Sequence, residues 1–130
     1  MALRVVRLGT PRARGEGLRL GTVRFPPRGV PKRELASRGI YDLWLPELAP
    51  SAEAVRAARR APEGDERAWK AFARRYRKEM AAPAPARLLD LLAALSRQTD
   101  FSVGCYCPDA SRCHRSLLRE LLAERGARLR

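Results

Sequence analysis

FSVGCYCPDASRCHRSLLRELLAE, Phe101–Glu124, is the stretch that decides the fold. Phe101–Cys107 is short, largely apolar and rich in strand-forming residues, and predicts a strand. Residues 107–112, with Pro108, predict a loop. From Ser116 to Glu124, Leu117, Leu118, Leu121 and Leu122 recur at helical spacing, and Gly126 stands where a helix stops. A strand that feeds a loop and then a helix is the building unit of an α/β sheet.

Upstream, the same reading repeats. Leu88, Leu89, Leu91, Leu92 and Leu95 predict a buried helix ending near Gln98, after a break over Ala81–Ala86 at Pro83 and Pro85. Trp69, Phe72, Ala73, Tyr76 and Met80 mark one face of a helix over Asp65–Met80, with Lys70, Arg74, Arg75, Arg77 and Lys78 opposite. Ser51 is placed to cap a helix through Arg60. Strands are predicted over Leu3–Leu8, Leu18–Phe25 and Ile40–Leu45, with a loop at Thr10–Gly17 and one or two helical turns over Pro31–Arg38. The expected class is α/β: one small domain over residues 1–130, a mainly parallel sheet with helices packed on it.

The chain has 130 residues, the size of one ordinary domain, and 45% of them are hydrophobic, enough for a core. No repeat of solenoid period is present. No apolar run approaches the roughly 20 residues of a membrane helix. Met1–Leu8 carries arginines and no apolar run of the secretory type. The expectation is therefore a cytoplasmic protein without a membrane partner, whose thiols stay reduced.

The net charge is +13, and arginine supplies 24 of the 27 basic residues. Such a balance points to an anionic partner, and equally to the codon bias of a GC-rich genome. The charge is uneven: residues 1–40 carry +8, residues 41–66 carry −3 and residues 67–98 carry +6. An acidic block between basic blocks is placed to fold against them.

The chemistry concentrates in Cys105–Arg115. All three cysteines lie within nine residues, too close together to staple a distant part of the fold. The segment sits where a strand's carboxyl end meets a helix's amino end, the usual ligand position of open α/β sheets. A helix starting near Ser111 or Asp109 puts Cys113 and His114 in its first turn, where the dipole and arginines favour a Cys113 thiolate. Cys105 and Cys107, two apart on a strand, share a face. His114 is the single histidine, so any imidazole base is this one.

Four readings stay open. One is a reactive thiol, Cys107 or Cys113, with Arg112, Arg115 and Ser111 holding an anionic substrate. A second is a metal site of Cys105, Cys107, Cys113 and His114. A third is nucleic-acid binding through the loop arginines, the basic helix and the N-terminal arginines. The fourth is structural: buried cysteines and a histidine bonded to backbone.

The segment Cys105–Leu118 ahead of a final helix resembles the closing signature of domain of unknown function family 488. Val23-Arg24-Phe25-Pro26-Pro27-Arg28-Gly29-Val30 is similar to that family's Arg-Gly turn. Leu43-Trp44-Leu45-Pro46 through Ala49-Pro50-Ser51 is similar to its Trp-Leu-Pro-Ser stretch. The resemblance implies a compact α/β fold and a site built from Arg24, Arg28 and the Cys-His-Arg loop. It implies no assigned activity.

The leading expectation is thus an anion-binding site of Arg24, Arg28, Arg112, Arg115 and Ser111. Cys107 or Cys113 is its reactive thiol and His114 its base, with no cofactor and a small anionic ligand. Nucleic acid is the rival partner. Oligomeric state is not legible in the sequence.

Overall fold

The computed structural model describes residues 1–107 and 112–130. Four parallel strands form its sheet: β1 (Leu3–Arg7), β2 (Leu18–Gly21), β3 (Leu43–Trp44) and β4 (Phe101–Cys105). Their order across the sheet is β1-β4-β2-β3, so the last strand of the chain enters between the first two. Leu3 and Leu18 both register with Phe101, on opposite edges of β4. Helices α1 (Ala52–Arg60), α2 (Glu66–Met80) and α3 (Pro83–Leu95) connect β3 to β4, and α4 (His114–Glu124) follows it. The chain is an α/β protein with an all-parallel sheet, as the strand–loop–helix unit implies.

All five residues of β4 are buried. Phe101 and Val103 enter the main core beside Leu3, Leu89, Leu118 and Leu122. Ser102, between them, turns the other way, as the period of two requires. Gly104 keeps the neighbouring strand close: a Cβ there would sit 2.4 Å from the Val6 carbonyl oxygen.

On the Ser102 side lies a feature the sequence reading did not foresee. Glu16 and Arg19 form a buried ion pair, 3% and 0% exposed. Arg19 donates through Nε and Nη2 to the two Glu16 oxygens at 2.7 and 3.0 Å, and through Nη1 to the carbonyls of Thr10 and Gly39 at 2.8 and 2.7 Å. Ser102 Oγ donates to the same carboxylate at 2.6 Å. The connection from β1 to β2 has no helix to satisfy its backbone, and Arg19 supplies the missing donors. Burial alone would raise the Glu16 carboxyl. The Arg19 pair and the Ser102 hydroxyl outweigh it and hold the group down to about 2.

The helix starts follow the predicted chemistry. Ser51 Oγ accepts from Ala54 N–H at 3.2 Å, and Asp65 accepts from Ala68 N–H at 3.1 Å. The predicted break at Ala81–Ala86 is largely absent, because α3 begins at Pro83. The first-turn N–H groups have no intrahelical acceptor, so Pro83 and Pro85 cost that turn nothing. Leu91 and Leu95, expected in the core, are exposed, while Leu89 and Leu92 are buried. α4 starts two residues earlier than predicted and ends with Gly126 at positive φ. Gly126 N–H bonds Ala123 and Ala127 N–H bonds Leu122, the paired closure of a glycine-stopped helix.

The acidic middle block does fold against the basic ones. Asp42 takes two bonds from Arg12 at 2.9 Å, Glu53 pairs with Arg75 at 2.7 Å, and Glu66 pairs with Arg112. Arg77 is held by Glu120 and Glu124, so two of the five basic residues on that face of α2, Arg75 and Arg77, are paired in place. No helix among the described residues is long and apolar enough to cross a membrane.

Candidate functional site: a three-thiol cleft

β4 ends at Cys105, two residues earlier than predicted, and the bend at Tyr106 turns Cys107 outward to solvent. Cys105 and Cys113 stay inside, 1% and 2% exposed, with their sulfurs 2.7 Å apart. Cys113 is the N-cap of α4 instead of a first-turn residue. Hydrogen bonds from the Cys105 and Cys113 thiols, with added charge from Arg115, hold the Cys107 thiol well below its ordinary value. The same interactions push Cys105 and Cys113 up. Among neighbouring thiols the negative charge is favoured on the most accessible one. Of the two thiols that the sequence offers as reactive, Cys107 is thus the one shifted down and Cys113 the one shifted up.

His114 is 7% exposed and tilts against the Tyr76 ring, 5.5 Å between centroids. Its Nε2 lies 2.7 Å from the Thr22 carbonyl oxygen, which only accepts, so Nε2 carries the proton. Burial lowers its pKa and favours the neutral ring. Nδ1 then has a free lone pair, 3.7 Å from Cys113 Sγ. Thr22 itself bonds the Gly104 carbonyl through N–H and hydroxyl, at 3.0 and 2.9 Å, and so ties the imidazole to β4.

Cys107, Cys113 and His114 line a cleft of about 310 Å³, within the range of small-molecule sites. Its far wall is the α1–α2 turn with Pro62, Glu63 and Asp65, and the aromatic pair Trp69 and Phe72, stacked at 5.7 Å. These two rings, on the apolar face of the predicted helix, pack against the core with one side and line the cleft with the other, while Tyr76 and Met80 on the same helix are fully buried. Arg59 and Arg112 also line it. The Ala-Pro-Glu-Gly-Asp turn at 61–65 was legible as a break, and nothing local marked it as a wall.

The predicted arginines divide. Arg115 is buried; its Nη2 donates to the Cys107 carbonyl at 2.7 Å, and among the described residues its Nε has no partner. Arg112 stands 5.9 Å from the Trp69 ring centre and pairs with Glu66 across the cleft's rim. Arg24 donates to the carbonyls of Pro46, Ala49 and Pro50 and so braces the segment entering α1. Arg28 is exposed in the following loop. Neither Arg24 nor Arg28 is among the residues lining the cleft. Ser111 lies outside the described residues.

Cys105, Cys113 and His114 also form a potential ligand group, with donor atoms within 4.8 Å of one another. No curated protein and no solved structure matches this chain. A family model does, over residues 3–126, described as the active DUF488-N3 subclade. With all the described elements inside that match, the chain belongs to the DUF488-N3a family.

Proposed function

We propose that the cleft carries out a thiol-dependent reaction on a small anionic substrate, with Cys107 as the attacking sulfur. The observation behind this reading is an exposed sulfur, Cys107, that opens into a cleft beside Cys113, which itself touches the buried Cys105. Cys105 and Cys113 hold Cys107 as thiolate. His114 Nδ1, beside Cys113, is the acceptor that takes a proton from the thiol cluster. Arg112 and Arg59, which line the cleft, are the donors for the anion, and Arg115 steadies Cys107 from behind through its carbonyl. Trp69, Phe72 and Pro62 receive an uncharged portion of the substrate. The family description, "active", agrees with a chemical role. Arg24 acts at one remove, by bracing the Pro46–Pro50 segment. The place of work is the cytoplasm.

The test is alkylation of each cysteine by iodoacetamide across pH. Cys107 is expected to react first, at a rate that stays high well below the roughly pH 8.5 of a free thiol. A rate that titrates normally, or a Cys113 that reacts first, removes Cys107 as the nucleophile.

A metal centre is the second reading, favoured by one observation. Nε2 of His114 is anchored on a carbonyl, as the outer nitrogen of a metal-bound histidine usually is, which leaves Nδ1 toward the sulfurs. Elemental analysis of wild type and Cys113→Ser decides it: one zinc or iron per chain, lost in the variant, replaces the thiolate reading. Nucleic acid ranks behind both, because Arg75 and Arg77 of the basic helix face are held in ion pairs.

A further inference from the structure

A nucleophilic thiol needs no second and third sulfur to attack a substrate. Here the other two are in contact with each other, both are shielded from solvent, and one of them, Cys113, shares the wall of the cleft with Cys107. We infer that the three sulfurs form a relay: Cys107 reduces an organic hydroperoxide in the cleft, and the oxidation ends as a buried Cys105–Cys113 disulfide. This rests on the reading of Cys107 as the reactive thiol.

The steps balance. The Cys107 thiolate attacks the terminal oxygen of the hydroperoxide, the O–O bond breaks, and the alkoxide leaves as alcohol after taking a proton from water. Cys107 becomes a sulfenic acid. The Cys113 sulfur attacks the Cys107 sulfur, and hydroxide leaves with the thiol proton as water, giving a Cys107–Cys113 disulfide. Cys105, 2.7 Å from Cys113, then attacks the Cys113 sulfur and releases Cys107 as thiolate, its own proton neutralising the hydroxide left by the first step. The net change is one hydroperoxide and two thiols to one alcohol, one water and one disulfide. External thiol resets the centre by the reverse exchange through Cys107 and is itself oxidised to its disulfide.

The geometry favours this order. An exposed sulfenic acid next to a resolving thiol is captured before further oxidation. The product disulfide joins residues eight apart, across sulfurs that already touch. The apolar wall of Val55, Pro62, Trp69 and Phe72 fits an organic peroxide. Nδ1 of His114, 3.7 Å from Cys113, takes the proton as that thiol attacks and passes it to the departing hydroxide.

The experiment treats the reduced full-length chain with one equivalent of cumene hydroperoxide, alkylates it, and maps the tryptic peptides. Cleavage at Arg97, Arg112 and Arg115 separates Gln98–Arg112 from Cys113–Arg115, and fragmentation then tells Cys105 from Cys107. The expected product links Cys105 to Cys113 and leaves Cys107 alkylated. Cys105→Ser should stop at a Cys107–Cys113 link. Cys107→Ser, checked for folding by circular dichroism, should slow disulfide formation at least about tenfold. Sulfinic acid at Cys107, with both buried thiols alkylated, overturns the relay while leaving a fast-alkylating Cys107 and the proposed function intact. A Cys107 inert to both peroxide and iodoacetamide overturns both. Stoichiometric zinc protecting all three thiols overturns the relay in favour of a metal centre.

Discussion

Glu16 and Arg19 are a test of how a single buried charge is tolerated. Removing the carboxylate alone leaves Arg19 charged and buried, so Glu16→Gln should cost about 3–5 kcal/mol, read from urea unfolding. A loss under about 1 kcal/mol would mean that the pair is dispensable. The pH dependence has a definite sign. The folded carboxyl is held at about 2 against an ordinary 4.5, so its contribution is complete above 4.5 and is lost as the pH falls toward 2. Wild type should lose stability through that window, and the Glu16→Gln profile should be flatter there. Replacing Arg19 with methionine does not rescue the loss, since the carbonyls of Thr10 and Gly39 lose their donor. None of this was legible from the sequence, where Glu16 and Arg19 are two charges among 41, one in a glycine-flanked loop and the other in the strand that follows.

At the scale of the element, β4 is the least forgiving. Gly104→Ala forces a methyl against the Val6 backbone, and is expected to lower stability by about 1–3 kcal/mol in thermal unfolding. Pro85→Ala, in a turn with no bond to lose, should change it by less than about 0.5 kcal/mol. An equal effect from the two would contradict the placement of both. Element types were readable because each carries its own period: the leucines of α4 at helical spacing, and the prolines and glycines between the runs. Lengths were less readable. β2 and β3 run past their partners in sequence pattern, yet Leu43–Trp44 is all that pairs at the β3 edge. The thiol site was half readable. Spacing gathered the three cysteines without saying which of Cys105 and Cys107 meets Cys113, and the exposure that tells them apart depends on where β4 ends.

For the whole molecule, the decisive fact is the strand order, which leaves no local trace in a sequence because parallel partners are distant in the chain. β1 and β2 never touch as neighbours; each pairs with β4. A fragment of residues 1–98 should therefore lack the sheet, giving no cooperative transition by circular dichroism. A fragment that unfolds cooperatively would show that β1, β2 and β3 have another way to associate. Residues 128–130 add to the closure, with Leu3 N–H bonded to Arg128 and Arg130 N–H to Leu3 on the outer side of β1. The same order acts during synthesis, when the polypeptide emerges from its amino end. β1 waits without a partner, and β2 with only the short β3 beside it, while three helices are made. The reactive sulfurs arrive with, or just after, the segment that completes the sheet. The ribosome therefore delivers the thiols at about the moment when a fold exists to enclose two of them and present the third.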